Sequence, residues 1–298
     1  MAHQKSTRDL SDATERRSSL WLRILQYPLT RILLLGPLLF VLMGISNGFW
    51  SVRFADQPLL GIVSAALMAA LALAVYAAFV RYIEQRPVSE LALSSMSREL
   101  GLGLIAGVGL YTLCVAILML LGVYRIEAIN PPLLMLPSVA MALSSGVFEE
   151  LLHRGTIFRN VEALAGSWIA LLVSAVIFGM VHLTNPDGTM VGALAITIEA
   201  GLLLAALFLV TRRLWLSIGA HIAWNFTQSG IFSGAVSGAF EQPGLFKAVI
   251  EGPELLTGGA FGMEASMIAL IVCTMTGVLV LRLAVRRGNI VPPIWRRR

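Results

Sequence analysis

Charge is what this chain has least of. Only 13% of its 298 residues are Asp, Glu, Lys or Arg, roughly half the ~25% of an ordinary soluble domain. So few ionic groups cannot cover a water-facing surface, which excludes a soluble globular enzyme. A hydrophobic share of 57% excludes a disordered chain as well. Cysteine is nearly missing: Cys114 and Cys273 both fall inside apolar runs. They offer neither the framework of a secreted disulfide module nor a metal-type spacing, and read as small packing residues. No short apolar core with a cleavage site stands near the start, so no removable leader is expected. Internal repeats, a GxSxG elbow and a zincin HExxH are absent too.

What the chain has is long apolar sequence. Crossing a bilayer takes about 20 mostly apolar residues. Eight stretches qualify, at about 29–50, 59–80, 100–123, 133–157, 167–184, 190–211, 214–233 and 265–285. Backbone groups in lipid must be bonded internally, so these are helices. The expected fold is an all-α, polytopic membrane helix bundle over 21–298, preceded by a flexible cytoplasmic tail at 1–20. A polar, interfacial stretch (81–99) separates the second and third spans. The Gly-rich connection at about 229–264 reads as a loop or re-entrant segment.

The formal charge of +5 could suggest nucleic acid, but placement says otherwise. Lys and Arg crowd into the tail, the even-numbered connections and the C-terminal end, leaving Arg53, Arg125 and Lys247 on the opposite side. The positive-inside rule then places both termini in the cytoplasm. Arg296, Arg297 and Arg298 suit anionic headgroups, and no nucleic-acid partner is expected. Trp50, Trp168, Trp215 and Trp295, near span ends, fit an interfacial aromatic belt.

The informative residues are polar ones inside apolar helices, where a central Asp, Lys or Arg costs about 2.5–3.5 kcal/mol on insertion scales. The fourth span reads SSGVFEELLHRGTIF. Glu150 and Arg154, four apart, share a helix face and can pair. Glu149 is rotated by about 100° and is left to address a cavity. The fifth span ends IFGMVHLTNP, with Phe178 and His182 one turn apart; the seventh reads SIGAHIAWNF, with His221 and Asn225 likewise spaced. Glu149, His182, His221 and Asn225 on three helices are expected to converge in one polar cavity. Such a set can hydrolyse a peptide bond: a carboxylate takes a proton from water, and imidazoles and an amide steady the oxyanion. Glu149, His182 and His221 could equally ligate zinc. Among their neighbours, Ser144 and Ser145 read as helix-packing residues and His153 as interfacial. Glu199 either lines the cavity or bonds a neighbouring helix, and Trp224 could wall the site. Asn185, Pro186 and Asp187 read as a turn. Counted along straight helices, Glu149, His182 and His221 reach different depths, which agree only if helices tilt and the fourth runs on to about Glu162.

These motifs resemble those of the CPBP intramembrane proteases, the CAAX protease and bacteriocin-processing (Abi) family that includes the type II CAAX prenyl endopeptidases. EExxxR matches Glu149, Glu150 and Arg154; FxxxH matches Phe178 and His182; HxxxN matches His221 and Asn225. The ordered set places a protease core at about 133–238. HLTNP, TRRLW, AHIAWNF and LTGGAFG also resemble bacterial members, which implies a prokaryotic plasma membrane. The resemblance implies that Glu149 activates water, His182 helps to orient it, and His221 and Asn225 stabilise the oxyanion. Glu150 and Arg154 would shape the site electrostatically, and Phe178 would pack it. Although the family has been called metalloprotease, a metal-free glutamate mechanism fits Asn225 better, so no cofactor is favoured and a divalent metal such as zinc stays possible. The implied partner is a membrane-associated, prenylated or hydrophobic peptide; oligomeric state is left open. A non-catalytic immunity or sensor-regulator protein of the same fold is the alternative, with a proton-coupled transporter behind it.

Overall fold

The computed structural model describes residues 20–297; all but the last residue of the expected tail lies outside them. The chain folds as a helical bundle turned inside out relative to a soluble protein. Leu33, Leu67, Ile105 and Met275 are among the many large apolar side chains that face outward, whereas Glu150 and Arg154 are completely buried. An apolar surface of this extent needs lipid around it, and the protein is an integral, multi-pass membrane protein.

Its main helices are α1 (Pro28–Asn47), α2 (Pro58–Ala78), α3 (Met96–Leu120), α4 (Leu136–Glu150), α5 (Arg159–Val181), α6 (Met190–Thr211), α7 (Trp215–Asn225) and α8 (Met267–Arg286). Six helical runs among the described residues are long and apolar enough to cross a membrane, against the eight stretches expected. Part of the difference lies in Pro132–Thr184, a single 53-residue run that takes in α4 and α5. Gly166, at φ 79° and ψ 169°, breaks that run, so the two expected spans are its two arms. Only glycine suits this corner: a Cβ there would lie 2.7 Å from Pro293 N and 2.8 Å from Val291 O. The first arm therefore passes the expected end at residue 157. The rest of the difference lies in α7, whose 11 residues are prolonged by six residues of wider i→i+5 coil, Phe226–Ile231.

A similar wide coil, Leu151–Phe158, follows α4 directly, so both motif helices with acidic or amide groups change winding just beyond them. Such insertions gather at functional sites because they re-aim side chains.

Among the described residues, one two-stranded antiparallel sheet departs from the helical pattern, β1 (Tyr124–Ile129) with β2 (Phe246–Ile250). Tyr124 faces Ile250 and Ile129 faces Phe246, with an irregularity between Ile126 and Ala128. β2 lies in the Gly-rich connection after α7, where sequence alone suggested only a loop or re-entrant segment.

Helices α3 and α7 pack along their length, as do α6 with α8, α5 with α6, and α4 with both α2 and α7. The α3–α7 seam is made of glycine. A Cβ on Gly103 would meet Leu216 O at 2.4 Å, and one on Gly107 would meet Ala220 O at 2.3 Å. Small residues let membrane helices approach this closely, and here they fix the helix that carries His221 and Asn225. The polar stretch between α2 and α3 is tied to the bundle by ion pairs. Glu84 binds Arg86 at 2.7 Å and Arg159 at 2.5 Å, Glu90 binds Arg86 at 2.5 Å, and Glu99 pairs with Arg213.

Candidate active site

Helices α4, α5 and α7 bring the motif residues to one cavity of about 490 Å³, lined by Glu149, His182, His221 and Asn225. His221 stands between the two adjacent glutamates of α4. Its Nδ1–H donates to Glu150 Oε1 at 3.1 Å, while Nε2 lies 3.8 Å from Glu149 Oε2. The second distance is too long for a direct hydrogen bond and short enough for one water to bond both groups. Glu149 Oε2 has no hydrogen-bond partner among the described residues.

Glu150 is held from its other side. Arg154 Nη1 donates to the same Oε1 at 2.8 Å, and Nη2 donates to the carbonyl oxygens of Ala200 (3.2 Å) and Gly201 (3.4 Å). The i,i+4 pair expected from sequence is thus formed, and it bridges α4 to α6. Phe178 packs in the middle of the cluster. Its ring lies 4.7 Å under the Arg154 guanidinium, 4.9 Å from His182 and 6.0 Å from His221, centroid to centroid for the imidazoles. An aromatic face attracts the guanidinium and excludes water from behind the site. On α5, His182 Nδ1–H donates to the carbonyl of Phe178 at 2.6 Å, which leaves Nε2 as the lone-pair nitrogen. On α7, Asn225 Nδ2 donates to Ser145 Oγ at 2.8 Å.

Two readings from sequence need correction. His153 is not interfacial: it is 2% exposed, donates Nδ1–H to the carbonyl of Glu149 at 2.9 Å and meets the Phe178 ring edge-on at 4.9 Å. The wide turn after Glu150 carries it inward. Ser145 is more than packing, because it holds the Asn225 amide; the neighbouring Ser144 does pack, bonding Ser46 Oγ at 3.1 Å and Asn47 Oδ1 at 3.0 Å. The spacing Ser145–Glu149 is one helical turn and could have flagged the serine. Trp50 lines the cavity as well and meets Phe240 edge-on at 5.6 Å. Trp224 walls the site as expected, and Glu199 lines it.

Glu264, from the connection before α8, also lines the cavity and was not foreseen. Burial raises its carboxyl above the ordinary range, against the pull of bonds from Ser237 and Trp224 and of nearby His182. Its only sequence signal is position: a carboxylate two residues after the apolar LTGGAFG stretch.

The donor set does not fit a metal. Among the described residues no three His, Cys, Asp or Glu side chains are grouped to hold an ion. No step below is routed through a metal.

The cavity thus gathers a carboxylate, two imidazoles and an amide from three helices around one hollow. Residues 131–227 match the family model described as type II CAAX prenyl endopeptidase, Rce1-like, a family of proteases. The match spans α4 to α7, the helices that carry all three motifs. No curated protein and no solved structure matches the chain.

Proposed function

We propose that the protein is an intramembrane endopeptidase of the glutamate type, which cleaves a membrane-associated peptide. The observation that carries this reading is the unpartnered Oε2 of Glu149, buried beside His221 Nε2 in a cavity shared with His182 and Asn225. Water held by Glu149, with His182 helping to orient it, gives a proton to the carboxylate, and the hydroxide formed attacks the scissile carbonyl carbon. Negative charge then moves to the carbonyl oxygen. Asn225 Nδ2 can offer its second proton there, and His221, with a carboxylate at each ring nitrogen, is placed to carry a compensating charge. Collapse of the tetrahedral species breaks the C–N bond, and the proton held by Glu149 passes to the departing amine.

Around these groups the walls are apolar, with Phe40, Met43 and Leu204 among them, which suits a hydrophobic or lipid-modified peptide. Comparative peptidomics of cells carrying the wild type or Glu149→Gln tests the reading. Fragments present only with the wild type support hydrolysis and name the substrate. Identical peptide profiles, with both proteins inserted equally in the membrane, overturn it.

A further inference from the structure

Seven glutamates are buried in the described chain: Glu84, Glu90, Glu99, Glu150, Glu162, Glu199 and Glu264. Five have a guanidinium. Glu84, Glu90, Glu99, Glu150 and Glu162 pair with Arg159, Arg86, Arg213, Arg154 and Arg212 respectively. The two without an arginine or lysine partner are Glu199 and Glu264, and both line the catalytic cavity.

Their environments differ from those of the other five. Glu199, in mid-α6, is 1% exposed, and its Oε2 has no hydrogen-bond partner. Glu264 is 3% exposed and acts as an acceptor on both oxygens. Trp224 Nε1 donates to Oε1 at 3.2 Å, and Ser237 donates to Oε2 through its backbone N (2.7 Å) and Oγ (2.8 Å). No lysine or arginine lines the cavity. Arg154 cannot supply the missing charge, since it is committed to Glu150 and to the carbonyl oxygens of Ala200 and Gly201, immediately after Glu199. A buried carboxylate is costly unless it is paired. Each of the other five has an internal guanidinium, whereas these two carboxyls face the cavity without one and leave room for a cation delivered from it.

We propose that Glu199 and Glu264 form a receptor for a cationic group, the ammonium or guanidinium of a basic residue close to the scissile bond of the bound peptide. The inference deepens the endopeptidase reading and rests on it for the word substrate. The apolar walls take the aliphatic stem, and the two carboxylates take the head. Peptides with lysine or arginine near the cleaved bond are selected over equally hydrophobic neutral ones.

The test is equilibrium binding to the full-length protein in neutral detergent, read by tryptophan fluorescence, to which Trp50 and Trp224 in the cavity wall contribute. The probes are N-decanoyl-Ala-Lys-Ala amide and its norleucine twin, matched in length but uncharged. The wild type is expected to prefer the lysine probe by about tenfold or more, the scale of a charge-assisted hydrogen bond. Glu199→Gln and Glu264→Gln should each reduce that preference while leaving norleucine affinity in place. Carbodiimide coupling of the bound lysine probe to the wild type, mapped by mass spectrometry, locates the amine without any variant: an amide to Glu199 or Glu264 is expected. Equal affinity of the two probes for the wild type, or coupling only at other carboxylates, overturns the proposal. Because the readout is binding, the two readings fail separately. Hydrolysis without a lysine preference sinks this inference alone, and the preference without hydrolysis sinks only the protease.

Discussion

The imidazole of His221 meets the carboxylate of Glu150 at 3.1 Å, Nδ1 to Oε1, so Glu150, the neighbour of Glu149, orients the ring of His221 from another helix. Arg154 in turn neutralises Glu150, and all three are buried. Removing one partner leaves an uncompensated charge. Arg154→Ala is expected to destabilise the protein by about 3–5 kcal/mol, the cost of breaking a buried pair. Arg154→Lys should recover little, since one ammonium cannot reach Glu150 and two carbonyl oxygens in the fork geometry of a guanidinium. Thermal unfolding in detergent distinguishes these outcomes from unaltered stability.

The amide of Asn225 is held by Ser145 Oγ at 2.8 Å. If Asn225 donates to the oxyanion, Asn225→Ala should lower kcat by about 10²–10³-fold, as loss of an oxyanion donor does. Ser145→Ala removes only the orienting bond, worth about 1 kcal/mol, and should cost about fivefold in kcat. KM should move little in either case. A Ser145→Ala enzyme as impaired as Asn225→Ala would place the serine in the chemistry itself.

Sequence spacing made the contacts within each motif legible because each motif lies within one helical turn. Glu150 with Arg154 and Phe178 with His182 keep their i,i+4 contacts even where the coil widens. Contacts between helices were not legible. Nothing in the run around Ser145 says that its hydroxyl faces Asn225 eighty residues later, or that Glu264 turns into the cavity from an irregular connection. His153 lies outside the three motifs, so nothing but its four-residue spacing from Glu149 signals that it turns into the site. β1 and β2 were hidden for a related reason: the partners are short, far apart in sequence and set among longer apolar runs.

Gly107 has a sharp role in the α3–α7 seam. A Cβ at this position would lie 2.3 Å from Ala220 O and 2.8 Å from Trp224 N, atoms of the helix backbone that cannot yield locally. Gly107→Ala should therefore push α7 outward and displace His221 and Asn225 together. The expected result is a fall in kcat of about tenfold or more, since misplacement by 1 Å can cost about 10²-fold, with a lowered unfolding temperature. Gly109→Ala is the control, because a Cβ there meets nothing within 4 Å. Equal behaviour of the two variants would contradict the close-approach argument.

Glu84 sets the acid limit of the bundle. Burial alone would raise its carboxyl, but the guanidiniums of Arg159 and Arg86 outweigh burial and hold it below the ordinary range. A depressed folded-state value means that the unfolded chain takes up the proton first as pH falls. The stabilisation is complete above the unfolded value, about 4.3, and is lost below it as pH drops through the folded value. Unfolding temperatures of the wild type and Glu84→Gln should differ most at neutral pH and converge on acidification towards pH ~3. A gap that stays constant across that window would show that Glu84 contributes through shape rather than through its charge.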